Sequence, residues 1–177
     1  LFQLSATGDP KRILPEDASH RWNPRRVRVL TIDSKGRLWF GALDGVGCWD
    51  GQSWRLYAGE DGLPYNDFTC AAPGLDGAVW FGTTKGAIRF DGTRFAYRAG
   101  LRWLPDDLVN GIVVDPAGTA WFATAGGVSR IERIPMTLEE KADYFVDQVE
   151  SRHVRLGFVA ARRLSERGNV DSYTPHV

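Results

Sequence analysis

The chain has 177 residues, with 22 Lys plus Arg against 22 Asp plus Glu, so its formal net charge is zero. That length suits one ordinary domain, and the charge balance supplies no overall field to draw it to nucleic acid or an anionic membrane. Two cysteines, Cys48 and Cys70, without ligand-like spacing argue against a disulfide scaffold or a zinc site. Aromatic residues make up 12% of the chain and Met occurs once, a composition closer to a rigid β framework than to an adaptable helical surface. No apolar run approaches the roughly 18 residues of a membrane-spanning helix. The chain starts at Leu1 with no charged-then-apolar leader, and so reads as a piece of a longer protein.

Residues 1–26 contain one candidate strand, Phe2–Leu4, followed by a connection carrying Pro10, Pro15 and Pro24. From Val27 onward a pattern begins that returns twice. Trp39, Trp80 and Trp121 are 41 residues apart, in the phrases GRLWFGALDGVGCWDG, GAVWFGTTKGAIRFDG and GTAWFATAGGVSRIER. Gly36, Gly77 and Gly118 keep the same step, as do Gly45, Gly86 and Gly127. Self-similarity at one fixed period marks a structure of stacked units.

Each unit divides into short strands separated by Asp- and Gly-rich turns. The first predicts strands at Val27–Ile32, Leu38–Ala42, Gly47–Trp49 and Trp54–Tyr57. The second predicts Phe68–Ala72, Ala78–Thr83, Ala87–Phe90 and Arg94–Tyr97. The third offers Val109–Val114, Thr119–Ala123 and Val128–Ile131, and lacks a fourth strand where ERIPM replaces the D-G turn. Four antiparallel strands every 40 or so residues predict β-propeller blades. The expected fold is therefore all-β, with about three blades of a larger propeller, since closed propellers carry roughly four to eight. Phe2–Leu4 then reads as the last strand of an earlier blade.

Pro135 ends the pattern. Thr137 and Glu140 form a capping box ahead of an apolar stripe, Leu138, Ala142, Phe145, Val149 and Leu156. These predict a C-terminal amphipathic helix over Leu138–Leu156 that opens a further domain. The expected organisation is residues 1–26 as a connection from a preceding blade, 27–135 as three blades, and 136–177 as the truncated start of the next domain. His153, between Arg152 and Arg155 near the helix end, suits a capping or packing role.

The stretch WFGALDGVGCWDGQSWRLYAGEDGLPYND resembles the two-component regulator propeller repeat. Asp33, Gly36, Leu38, Trp39, Phe40, Gly41, Gly45, Asp50, Gly51, Gly62, Leu63, Pro64 and Asn66 carry the match. Blade two has Gly74 where blade one has Asp33, and blade three has Ala123 for the glycine after the W-F pair. The resemblance covers about residues 27–132. It implies a bacterial ligand-sensing module, periplasmic or extracellular, often with carbohydrate ligands. In sensors of that kind a β-sandwich, a membrane span and a kinase follow the propeller, whereas here a helix does.

The repeated tryptophans are read as packing between blades, and the Asp-x-x-Gly turns as turn chemistry, being too poor in oxygens for calcium. Function is expected where the repeats disagree, at loops lining the channel mouth. Against the 41-residue register Trp103 replaces Gly62, Asp106 replaces Tyr65, Arg102 stands opposite Asp61 and Lys85 opposite Asp44. An indole beside carboxylates and an arginine suits a sugar ring and its hydroxyls. The candidate ligand-binding residues are Asp61, Tyr65, Asn66, Lys85, Arg102, Trp103 and Asp106. No catalytic residue, metal ligand or cofactor is assigned, because no nucleophile elbow, zinc helix, P-loop or dinucleotide fingerprint occurs. The expected partners are a small molecule or oligosaccharide and further blades or domains of the same protein, with no nucleic acid and no membrane segment in this stretch. Three function classes stay open: a sensor module, the propeller part of a polysaccharide-degrading enzyme with a downstream helical domain, and a structural scaffold.

Overall fold

The computed structural model describes residues 2–4, 8, 10–24, 26–132 and 137. The chain divides into two compact units, 1–133 and 134–177, and the propeller-like repeats belong to the first. The helix expected over Leu138–Leu156 lies outside the described residues. Among those residues there is no α-helix, only two single-turn 3-10 helices, Gly59–Asp61 and Leu75–Gly77.

A two-residue-period framework fills the rest. Strands β1 (Phe2–Leu4) and β2 (Pro10–Arg12) form a small antiparallel pair. Blade one is an antiparallel sheet of β3 (Val29–Ile32), β4 (Leu38–Ala42), β5 (Gly45–Trp49) and β6 (Trp54–Tyr57), hydrogen-bonded in chain order. Blade two repeats it with β7 (Phe68–Pro73), β8 (Val79–Thr83), β9 (Gly86–Phe90) and β10 (Phe95–Arg98). Blade three contains β11 (Val109–Val114), β12 (Ala120–Thr124) and β13 (Gly127–Ile131). Among the described residues the third sheet has three strands; the place of a fourth, after Glu132, lies outside them. Pairing keeps the 41-residue step: Trp39 faces Cys48, Trp80 faces Arg89, and Trp121 faces Arg130. Strand limits differ from expectation by one or two residues, and β2 is an element the proline-rich segment did not suggest.

Asp33 shows how one side chain sets a turn. Its Oδ1 accepts the backbone N–H of Lys35 and Arg37, while Oδ2 accepts the Trp39 indole N–H at 2.9 Å and the Arg37 Nε at 2.6 Å. Gly36 closes the turn at φ +75°, a left-handed conformation that glycine adopts without strain. Asp115 repeats the arrangement with Ala117, Thr119 and the Trp121 indole. The repeated Asp is therefore a turn clamp that also orients the blade's tryptophan.

The first strands β3, β7 and β11 lie side by side, so the blades radiate from a line of inner strands. Trp39 of blade one packs edge-on against Phe81 and Phe90 of blade two, and Trp80 of blade two against Phe122 of blade three. Both indoles are sealed, at 1% and 6% exposure, inside two separate core clusters that straddle the junctions. Trp121, with no described blade after it, is 41% exposed. Glycine after the W-F pair has the same origin. A Cβ on Gly41 would meet the Phe68 ring at 2.6 Å, and one on Gly82 would meet Cys70 Sγ at 2.5 Å and Val109 at 2.8 Å. Ala123 holds that place in blade three, where the flank is open and the residue exposed.

Candidate ligand-binding face

Antiparallel register places two sets of loops at one end of the blades. In blade one Val29 at the start of β3 faces Gly41 near the end of β4, and Ala42 faces Gly45 across the next turn. The loop that leads into each first strand therefore lies beside the turn joining the second and third strands. In blade two these are residues 58–67 and 83–86, and in blade three 99–108 and 124–127.

Around blade two the contacts are specific. The Lys85 ammonium sits 4.8 Å from the centre of the Tyr65 ring, which is 5.3 Å from Tyr97. Thr84 Oγ1 donates to Asp67, and the Tyr97 hydroxyl donates to the Lys85 carbonyl. Burial, with Tyr65 beside it, pushes the Tyr97 phenol up to about 12, so it stays a neutral donor. Asn66 donates from Nδ2 to the Leu43 carbonyl at 2.5 Å, tying this loop back to blade one. At blade three the Arg102 guanidinium lies 5.2 Å and that of Arg98 4.5 Å from the Trp103 ring centre.

Of the seven expected residues, the structure brings together Tyr65 with Lys85, and Arg102 with Trp103. Strand β10 joins the two pairs, with Tyr97 beside Tyr65 and the next residue, Arg98, over Trp103. Trp103 is half-buried against the cluster between blades two and three, so part of its indole is packing. Asp61 caps its own turn, accepting the Ala58 N–H at 2.7 Å, and stands 3.8 Å from His20. Asp106 likewise accepts the Leu108 N–H within its turn. Among the described residues Asn66 reaches the Leu43 carbonyl already named and none of the other six.

A third copy of the leading loop was missed. Trp22, Leu63 and Leu104 are 41 residues apart, and each tucks into a core: Leu63 and Leu104 are buried, and the half-buried Trp22 meets Phe40 edge-on at 6.5 Å. The segment RWNPRR is thus blade one's counterpart of GLPYND. Asn23 and Arg26 within it line an open cavity of about 410 Å³ together with Leu43 and Asp44. The register itself was the signal that could have found them.

Burial pushes the Cys48 thiol up to about 11 and raises that of Cys70, which makes both poor nucleophiles at neutral pH. Among the described residues no cluster of His, Cys, Asp and Glu is arranged to hold a metal ion.

The arrangement of these sheets recurs in solved structures. The extracellular domain of a hybrid two-component system protein from B. thetaiotaomicron superposes at TM-score 0.50 with 24% identity, over 63% of this chain and 17% of that one. A second such domain from the same organism gives 0.56 at 17% identity, over 74% and 18%. The fold is a β-propeller. A streptogramin B lyase gives 0.52 at 19% identity, over 73% of this chain and 42% of that one, so the propeller is shared by proteins of different function. The chain spans under a fifth of the length of the two-component domains it resembles. No protein-family model and no curated protein matches it.

Proposed function

We propose that this chain is part of an extracytoplasmic sensor propeller that binds a carbohydrate across the loop-bearing end of its blades. One observation carries the reading. The positions where the repeats disagree, Tyr65, Lys85, Arg102 and Trp103, meet as cation-and-ring pairs on that end, linked through Tyr97 and Arg98. Aromatic faces with cationic and amide donors suit polyhydroxylated rings, which offer C–H faces and hydroxyls together. The extracellular two-component domains with this fold support the sensor role and the location outside the cytoplasm. Residues 136–177 are proposed to open a separate domain with the helix at Leu138–Leu156.

The test is a glycan array probed with the 177-residue chain, followed by titration of any hit. Lys85 and Arg102 are exposed, so Lys85→Ala and Arg102→Ala should each weaken binding about tenfold with the melting temperature unchanged. Full affinity in both variants would place the ligand elsewhere.

A further inference from the structure

Blade one presents an unfilled version of a seat that the other two blades fill. The 41-residue register equates Pro24 with Tyr65 and Asp106, and Arg26 with Asp67 and Leu108. It equates the turn residues Leu43 and Asp44 with Thr84 and Lys85, and with Ala125 and Gly126. In blade two the Tyr65 ring occupies the seat under Lys85, and the Thr84 hydroxyl is clasped to Asp67. In blade three the backbone itself closes in: a Cβ on Gly126 would lie 2.8 Å from the Pro105 carbonyl oxygen and 3.0 Å from Asp106. Blade one can do neither. The pyrrolidine ring of Pro24, closed on its own backbone, is too short to reach across, leucine has no hydroxyl for a clasp, and Arg26 and Asp44 stand where Asp67 and Lys85 stand in blade two.

What remains is the cavity of about 410 Å³ lined by Asn23, Arg26, Leu43 and Asp44, within the roughly 300–1,000 Å³ of small-molecule sites. We infer that this seat takes one pyranose ring of a glycan, in the place that the Tyr65 ring takes in blade two. Arg26 only donates hydrogen bonds, Asp44 only accepts them, and Asn23 does both. A pair of neighbouring hydroxyls can accept from the guanidinium and donate to the carboxylate at once, while Leu43 meets a C–H face. A simple anion would be opposed by Asp44 and a simple cation by Arg26. An aromatic hydrocarbon would strip water from both charges without replacing it. Neither Arg26 nor Asp44 holds an ion pair among the described residues, so both are available to a ligand.

The inference rests on the carbohydrate reading above, and the experiment separates the two. The 177-residue chain is titrated with the methyl pyranosides of glucose, galactose, mannose and xylose, and with glycine as a zwitterionic probe. At least one pyranoside should bind in the millimolar range. Asp44→Lys and Arg26→Asp, which restore the blade-two residues at exposed positions, should each weaken it at least about tenfold without lowering the melting temperature. Binding that survives both changes but is lost in Lys85→Ala or Arg102→Ala overturns this seat and leaves the carbohydrate reading standing. Glycine binding with no pyranoside binding makes the seat an amino-acid site and overturns the inference. No binding by any pyranoside overturns this seat, and the glycan array then decides the carbohydrate reading separately.

Discussion

Asp33 does at the scale of one residue what the repeat does for the whole chain. Burial pulls its carboxyl up, but the Trp39 indole, the Arg37 backbone and guanidinium and the Lys35 N–H outweigh that and hold it below its ordinary value of 3.8. A carboxylate whose folded pKa is depressed stabilises the fold fully above its unfolded value, and the contribution disappears as pH falls through the folded one. Stability should therefore be flat down to about pH 4 and then drop, and Asp33→Asn should flatten part of that drop in acid-unfolding curves. An unchanged acid limb would mean that other carboxylates, such as Asp17 and Asp115, whose values are also lowered, set the transition. Tryptophan gives a sharper contrast, because one residue type sits in two environments. Trp80→Ala, inside the junction, should cost about 3–5 kcal/mol, and Trp121→Ala, half out of the fold, about 1 kcal/mol or less in urea unfolding. Equal losses would deny the packing role that the spacing alone suggests.

Among the elements, strands were the most legible feature of this sequence because two independent signals agreed on them. The apolar alternation marks their bodies, and the Asp-Gly turns mark their ends, so the predicted limits fall within two residues. Blade one's leading loop was not legible, for a physical reason. Its anchor changes from Leu to Trp and its glycine to Arg21, so G-L-P becomes R-W-N-P while the buried position is kept. The bulges after Phe68 and Val109 were hidden too, since an extra residue in a strand leaves no mark in composition. Glycine after the W-F pair was legible as a repeat but not as a cause. Its cause is the next blade's inner strand, which the sequence does not show as a neighbour. Gly82→Ala should therefore destabilise by about 1–3 kcal/mol through overpacking against Cys70 and Val109, whereas Ala123→Gly should cost only what a strand glycine costs, within about 1 kcal/mol. If Gly82→Ala melts with the wild type, the blades are less closely spaced than these contacts require.

For the whole molecule, the two flanks of the three-blade arc are unequal, and the inequality has a consequence in solution. On the first flank Phe40, Ala42 and Leu56 are covered, with Trp22, Val27 and Trp54 packed on them, while Leu30 and Ile32 on the inner strand β3 are exposed. On the last flank Trp121, Val113 and Val128 are all exposed, whereas Trp39 and Val46, the counterparts of Trp121 and Val128 in blade one, are sealed by blade two. An apolar face built to be covered by another blade drives association when nothing covers it, and β13 adds an edge beside it that pairs with no further strand among the described residues. The 177-residue chain should therefore self-associate with rising concentration in sizing with light scattering. Val128→Glu, a charge placed on the exposed face where no described residue depends on it, should shift the population toward monomer without lowering the melting temperature. Its far-ultraviolet circular dichroism should match that of the parent, which separates lost association from lost folding. A sharp monomer at every concentration for the parent chain would show that the Trp121 face is stable in water as it stands.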